Sequence, residues 1–126
     1  MNDMNTEEVE HGVRLAPAVE KYVVANGPMT IEMRSVPSGL TALAAGIVRF
    51  DEGGSTDPWS LPYEEVFHVS SGELRIHIGD DMVAAGPGEV LTIPRGTTVV
   101  YEGTSGTEAF YALTPADWYR THPNGL

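Results

Sequence analysis

The chain contains no cysteine, which excludes disulfides, thiolate metal sites and cysteine nucleophiles together. Positive charge is also scarce: 7 Lys and Arg stand against 18 Asp and Glu, for a formal net charge of −11. A phosphate backbone must be neutralised by cations, so neither nucleic acid nor an anionic membrane is an expected partner. Long apolar runs are missing too, since none approaches the roughly 18 residues that cross a bilayer. Met1 to Glu10 is acidic and lacks the order of a signal peptide. The expectation is a cytoplasmic protein whose 126 residues form one domain stabilised by packing alone.

The chain does hold many short β-forming runs separated by Gly and Pro. Residues 1–12 read as a mobile acidic arm and 13–126 as the domain. Pro17, Val19, Tyr22 and Val23 predict one or two turns of helix that Gly27-Pro28 ends. Met29, Ile31 and Met33 alternate with Thr30, Glu32 and Arg34, as in a half-buried strand. Leu40 to Phe50 is nearly continuous in apolar residues and predicts a strand buried on both faces. Tyr63 to Val69 and Leu74 to Ile78 predict two strands joined at Ser71-Gly72, and Gly79-Asp80-Asp81 makes a second hairpin turn. Met82–Ala85, Val90–Ile93, Thr97–Tyr101 and Ala109–Leu113 follow, before a closing helical turn near Trp118. About eight or nine short strands at close spacing predict an all-β sandwich or barrel.

Two stretches carry a more specific pattern. Tyr63-Glu64-Glu65-Val66-Phe67-His68-Val69-Ser70-Ser71-Gly72-Glu73-Leu74 is the first, and Gly88 to Gly96, with Pro94 between, is the second. Together they resemble the paired motifs of the cupin superfamily, which implies a double-stranded β-helix, or jelly-roll barrel, with short helical or irregular ends. Where that family usually has a His-x-His pair, Trp59-Ser60-Leu61 stands; where it has a later His, Val99 stands. Of the four expected metal ligands only Glu65 remains, and selective transition-metal sites are built from three or four donors. No metal and no cofactor is therefore expected.

Pro58 to Glu65, Ser71 to Leu74, Ile93 to Gly96 and Thr114 to Trp118 are further similar to the cupin domain of the ethanolamine-utilisation EutQ family. The resemblance implies a link to bacterial microcompartments and to an ascribed acetate kinase activity. That activity is not carried over, because no Gly-rich piece here matches the GxxxxGK[ST] phosphate loop. Cupins usually pair, and open sheet edges need covering, so a homodimer is expected.

Period-2 geometry sets Trp59, Leu61, Tyr63, Glu65, Phe67 and Val69 on one side, with Pro62 able to disturb the start. The cupin match puts Glu65 in the lumen, with Val99 and Tyr101 entering from a second strand. A carboxyl among rings resists ionising and becomes useful for acid–base work. Glu65, Tyr63 and Tyr101 are thus the candidate catalytic groups; Trp59, Leu61, Phe67, Val99 and Arg49 are the candidate substrate contacts. Arg49 has a second reading as a structural partner of Glu65. His68 has the wrong parity for the lumen, and His77, His11 and His122 read as surface or terminal groups. Three functions stay open: a metal-independent lyase, isomerase or cyclase acting on a small molecule, a non-catalytic ligand-binding or accessory protein, and a metal-dependent oxygenase or related enzyme using Glu65 with His68 and other unconventional donors.

Overall fold

The computed structural model describes residues 11–121. The expected arm at 1–12 lies outside that range except for its last two residues. Eleven strands build two antiparallel sheets. In chain order they are β1 (Val23–Asn26), β2 (Met29–Glu32), β3 (Ala44–Phe50), β4 (Gly54–Ser55), β5 (Trp59–Ser60) and β6 (Glu64–Ser71). Then come β7 (Leu74–Ile78), β8 (Asp81–Ala85), β9 (Val90–Ile93), β10 (Thr98–Gly103) and β11 (Thr107–Thr114), with a single turn of helix, α1 (Trp118–Thr121), at the end. The six-stranded sheet runs β1-β2-β3-β11-β6-β9 and the other β4-β10-β7-β8, with β5 also paired to β10. No helix among the described residues is long and apolar enough to cross a membrane.

The core forms where the alternating faces of both sheets meet. Phe67 and Val69 on β6, Leu74 and Ile76 on β7, Val99 and Tyr101 on β10, and Ala109, Tyr111 and Leu113 on β11 are all buried. A bulge lies opposite Glu108 and Ala109, so that Glu108 faces Ser71 and Ala109 faces Val69. The extra residue, Ser70, points outward and leaves the buried set of β6 undisturbed.

Two expected elements differ. No α-helix forms between Val13 and Asn26: a three-residue 3-10 turn at Glu20–Tyr22 leads into β1, which pairs with β2. The two-residue loop Gly27-Pro28, with Gly27 at φ +58, closes that hairpin rather than ending a helix. Val23 and Val24 gain ladder bonds there, and tertiary pairing outweighs a weak helical spacing. The long apolar run also starts its strand late. Leu40 and Leu43 remain 59% and 53% exposed ahead of β3. Within β3 only Gly46, Val48 and Phe50 are buried, so one face is covered, not two.

Candidate active site

Glu65 lies near the start of β6 with its side chain on the inner face, and it is 9% exposed. Its neighbours in register are Leu113 on β11 and Ile93 on β9, so both flanking strands bring hydrocarbon to it. The hydroxyl of Tyr101, on the opposite sheet, donates a 2.7 Å hydrogen bond to Glu65 Oε1. No Lys or Arg among the described residues pairs with the carboxyl. Burial pushes the Glu65 carboxyl up to about 8, and the Tyr101 hydrogen bond pulls the other way. Near neutral pH the group is a carboxylic acid that gains or loses a proton at small cost.

Three phenols share the buried interior with it. Tyr63 reaches the interior from the turn between β5 and β6, and its hydroxyl oxygen accepts a 3.0 Å hydrogen bond from Trp59 Nε1. Burial first, and the charge of Glu65 second, hold Tyr63 and Tyr101 above the usual phenol range. The Tyr111 hydroxyl is pushed up to about 12 by the same two causes. Phe67 packs edge-on against Tyr101, with ring centroids 5.8 Å apart. At one end Trp59, Tyr63 and Trp118 form a ring cluster, with Trp118 5.8 Å from Trp59 and 5.3 Å from Tyr63. Tyr101→Phe is expected to raise the Glu65 titration further, because it removes the bond that favours the carboxylate. Carbon-13 NMR of labelled glutamate against pH reads that shift, and an unchanged midpoint would refute it.

The candidate residues divide cleanly. Glu65, Tyr63, Tyr101, Leu61, Phe67 and Val99 are buried together, with Trp59 half-buried beside them. Arg49 is not with them. It alternates with the buried Val48 and Phe50, so it leaves the opposite face of β3, where it pairs with Glu32 and, at 3.1 Å, with Glu108. Both of its expected roles, contact with a lumen ligand and partner of Glu65, are corrected by that parity. Tyr111 and Trp118 were missed as site residues. Ala109-Phe110-Tyr111-Ala112-Leu113 carries a period-2 signal for the first, whereas only the folded chain brings Trp118 to Trp59.

The donors do not fit a transition metal. Among the described residues no three His, Asp or Glu side chains converge. His68 is exposed on the outer face of β6, opposite in parity to Glu65, so the pairing of Glu65 with His68 is corrected as well. What accompanies Glu65 is phenols held above their usual range, not the three or four ready donors such sites use.

The family model described as ethanolamine utilisation protein EutQ matches residues 7–120. A protein named acetate kinase EutQ from Escherichia coli is 34% identical over 79 residues, covering 62% of this chain and 33% of that protein. This chain thus spans about a third of that curated relative's length. The Clostridium difficile EutQ structure superimposes with a TM-score of 0.66 at 24% identity, covering 81% of this chain and 82% of that one. An RmlC-like cupin from Shewanella frigidimarina gives 0.61 at 18% identity over 75% and 83% of the two chains.

Proposed function

The chain belongs to the EutQ family and has its cupin fold, and from that premise we propose that the barrel moves protons on a small molecule without a metal. The reaction is of lyase, isomerase or cyclase type, with Glu65 as the acid–base group. The observation that carries this is a carboxyl 9% exposed that, among the described residues, is held by one tyrosine and by no cation. A carboxylate kept only for structure is ordinarily tied to Arg or Lys. Here its protonated form gives a proton to a ligand oxygen, and the resulting carboxylate, steadied by Tyr101, takes one from carbon. Tyr63 and Trp59 shape the entrance, and Phe67, Leu61 and Val99 supply the apolar wall.

The kinase activity in the relative's name is not transferred. Phosphoryl transfer needs cationic groups around the phosphates, and on the strands Arg49 pairs on an outer face with Glu32 and Glu108 and Arg75 with Glu73 and Glu102, while Arg95 is exposed.

The test is solvent exchange. A panel of small ketones and hydroxycarbonyl compounds is incubated in deuterium oxide with the wild type and with Glu65→Gln. Deuterium incorporation at carbon next to the carbonyl is expected only with the wild type. A compound that binds but exchanges equally with both proteins would make the barrel a binding or accessory module instead. A homodimer belongs to the same proposal, supported by Phe110, His68 and Val90, neighbours in register across the outer face of the six-stranded sheet. Phe110 and Val90 are 44% and 58% exposed there, and sedimentation at micromolar concentration is expected to give twice the chain mass.

A further inference from the structure

Tyr101 can steady Glu65 only while its hydroxyl stays 2.7 Å from Oε1, and the ladder beside Tyr101 is interrupted. Along one side of β10, β5 pairs with Thr98 and Val99, and β4 pairs with Glu102 and Gly103. Between these pairings Thr56, Asp57 and Pro58 stand opposite Val100 and Tyr101, three residues against two, as in a bulge. Pro58 has no N–H to give to the ladder.

Thr56 closes the break. Its Oγ1 accepts a 3.1 Å hydrogen bond from Tyr101 N, and its own N donates a 2.9 Å bond to Tyr101 O. Both backbone polar groups of Tyr101 thus end on one residue, with a side-chain oxygen in place of the carbonyl that a regular strand would present. Thr56 is 6% exposed, and the turn between β1 and β2 backs it, since a Cβ at Gly27 would stand 3.9 Å from Thr56 Cα. The Tyr101 ring turns about two side-chain torsions and packs edge-on against Phe67. With the ring so confined, the place of its hydroxyl follows from where the backbone is held.

We propose that Thr56 is a positioning residue for the acid–base group: its hydroxyl fixes the Tyr101 backbone, and through it the phenol that bonds Glu65. The inference rests on the reading of Glu65 as that group and adds to it a residue that touches no ligand. Without the Thr56 hydroxyl the buried Tyr101 N–H loses its acceptor, and a strand that shifts to find another partner carries the phenol away from Glu65.

Thr56→Val keeps the side-chain shape and removes the acceptor. Carbon-13 NMR of labelled glutamate against pH reads Glu65 in Thr56→Val, in Thr56→Ser, in Tyr101→Phe and in the double variant Thr56→Val with Tyr101→Phe. The Tyr101 bond favours the carboxylate, so the Thr56→Val midpoint is expected to rise, by no more than Tyr101→Phe raises it. Thr56→Ser, which keeps the hydroxyl, should titrate as the wild type does. In the double variant the midpoint should move no further than in Tyr101→Phe, because the two residues act in series. Proton exchange into the small ketones should fall about tenfold in Thr56→Val and recover in Thr56→Ser. A lower melting temperature with the midpoint unmoved would make the hydroxyl merely structural and overturn the proposal. An additive shift in the double variant would also overturn it, by showing that Thr56 reaches Glu65 another way. Should Thr56→Val not fold, Thr56→Ala is measured in its place, and failure of both to fold would equally mark a structural residue. Failure of the catalytic reading is separate: exchange equal in wild type and Glu65→Gln, with the Glu65 midpoint still dependent on Thr56, would leave a positioned carboxyl without proton transfer to a ligand.

Discussion

Glu65→Gln is expected to slow turnover by orders of magnitude and, above pH 8, to make the protein more stable than the wild type. The two effects have one cause. In the folded chain the Glu65 carboxyl titrates at about 8, whereas in the unfolded chain it returns to the ordinary carboxyl value near ~4.3. Between those limits the folded state keeps a proton that the unfolded state has released, so wild-type stability falls as pH rises through the window and is flat above it. The group is nearly fully buried, and the accumulated loss is on the order of 5 kcal/mol. The amide cannot ionise, so that part of the slope disappears. At pH 5 the comparison reverses modestly: the extra amide donor has no acceptor, at about 1–3 kcal/mol. The stability curves of the two proteins should therefore cross. Turnover should fall by roughly 10²–10⁴, the usual contribution of a positioned acid–base group. Urea unfolding at pH 5, 7 and 9 measures the first effect and deuterium incorporation the second. Parallel stability curves would refute the buried acid, and a variant unstable at every pH would mark a structural carboxylate.

That crossing depends on contacts only half legible in the sequence. Alternation along one strand foretold that Glu65, Phe67 and Val69 share a face, because a pleated strand leaves no other arrangement. The Tyr101 bond could not be read the same way. Its partners lie 36 residues apart, on different sheets, and their meeting depends on how the sheets face each other. Arg49 was misplaced for a related reason. The run from Leu40 to Phe50 has apolar residues at both parities, so composition did not tell inside from outside, and pairing of β3 between β2 and β11 decided it. Tyr63 reached the interior although Pro62 breaks the strand ahead of it, because the turn carries Leu61, Pro62 and Tyr63 inward together. Tyr111 followed the same period-2 rule as Glu65 and was legible, but nothing in its strand announced chemistry.

The turn between β6 and β7 fixes which face Glu65 takes, and Gly72→Ala is expected to cost about 3 kcal/mol or more. Gly72 has φ +76, where a side chain is disfavoured by about 1–2 kcal/mol. That alone would be tolerable. The decisive term is space: a Cβ there would lie 2.3 Å from Thr107 Oγ1 and 2.6 Å from Thr107 Cα. Thr107 is 1% exposed. Its hydroxyl accepts from Glu73 N at 3.0 Å and donates to Glu73 O at 3.1 Å, so it cannot swing aside, and its Cα is backbone. Gly79, in the next hairpin, is the matched control, because its φ is +58 and a Cβ would meet nothing within 4 Å. Gly79→Ala should cost only the conformational term, about 1 kcal/mol. The gap between the two variants in urea midpoint isolates the collision with Thr107. The same collision bears on chemistry, since a chain that escapes it by slipping one residue would turn Glu65 outward and expose Glu64 and Val66 to the lumen. Folded Gly72→Ala, if recovered at low temperature, should show glutamate titration at ordinary carboxyl values. Equal losses in the two glycine variants, with the titration near 8 retained in both, would mean that the turn yields without disturbing the strand it anchors.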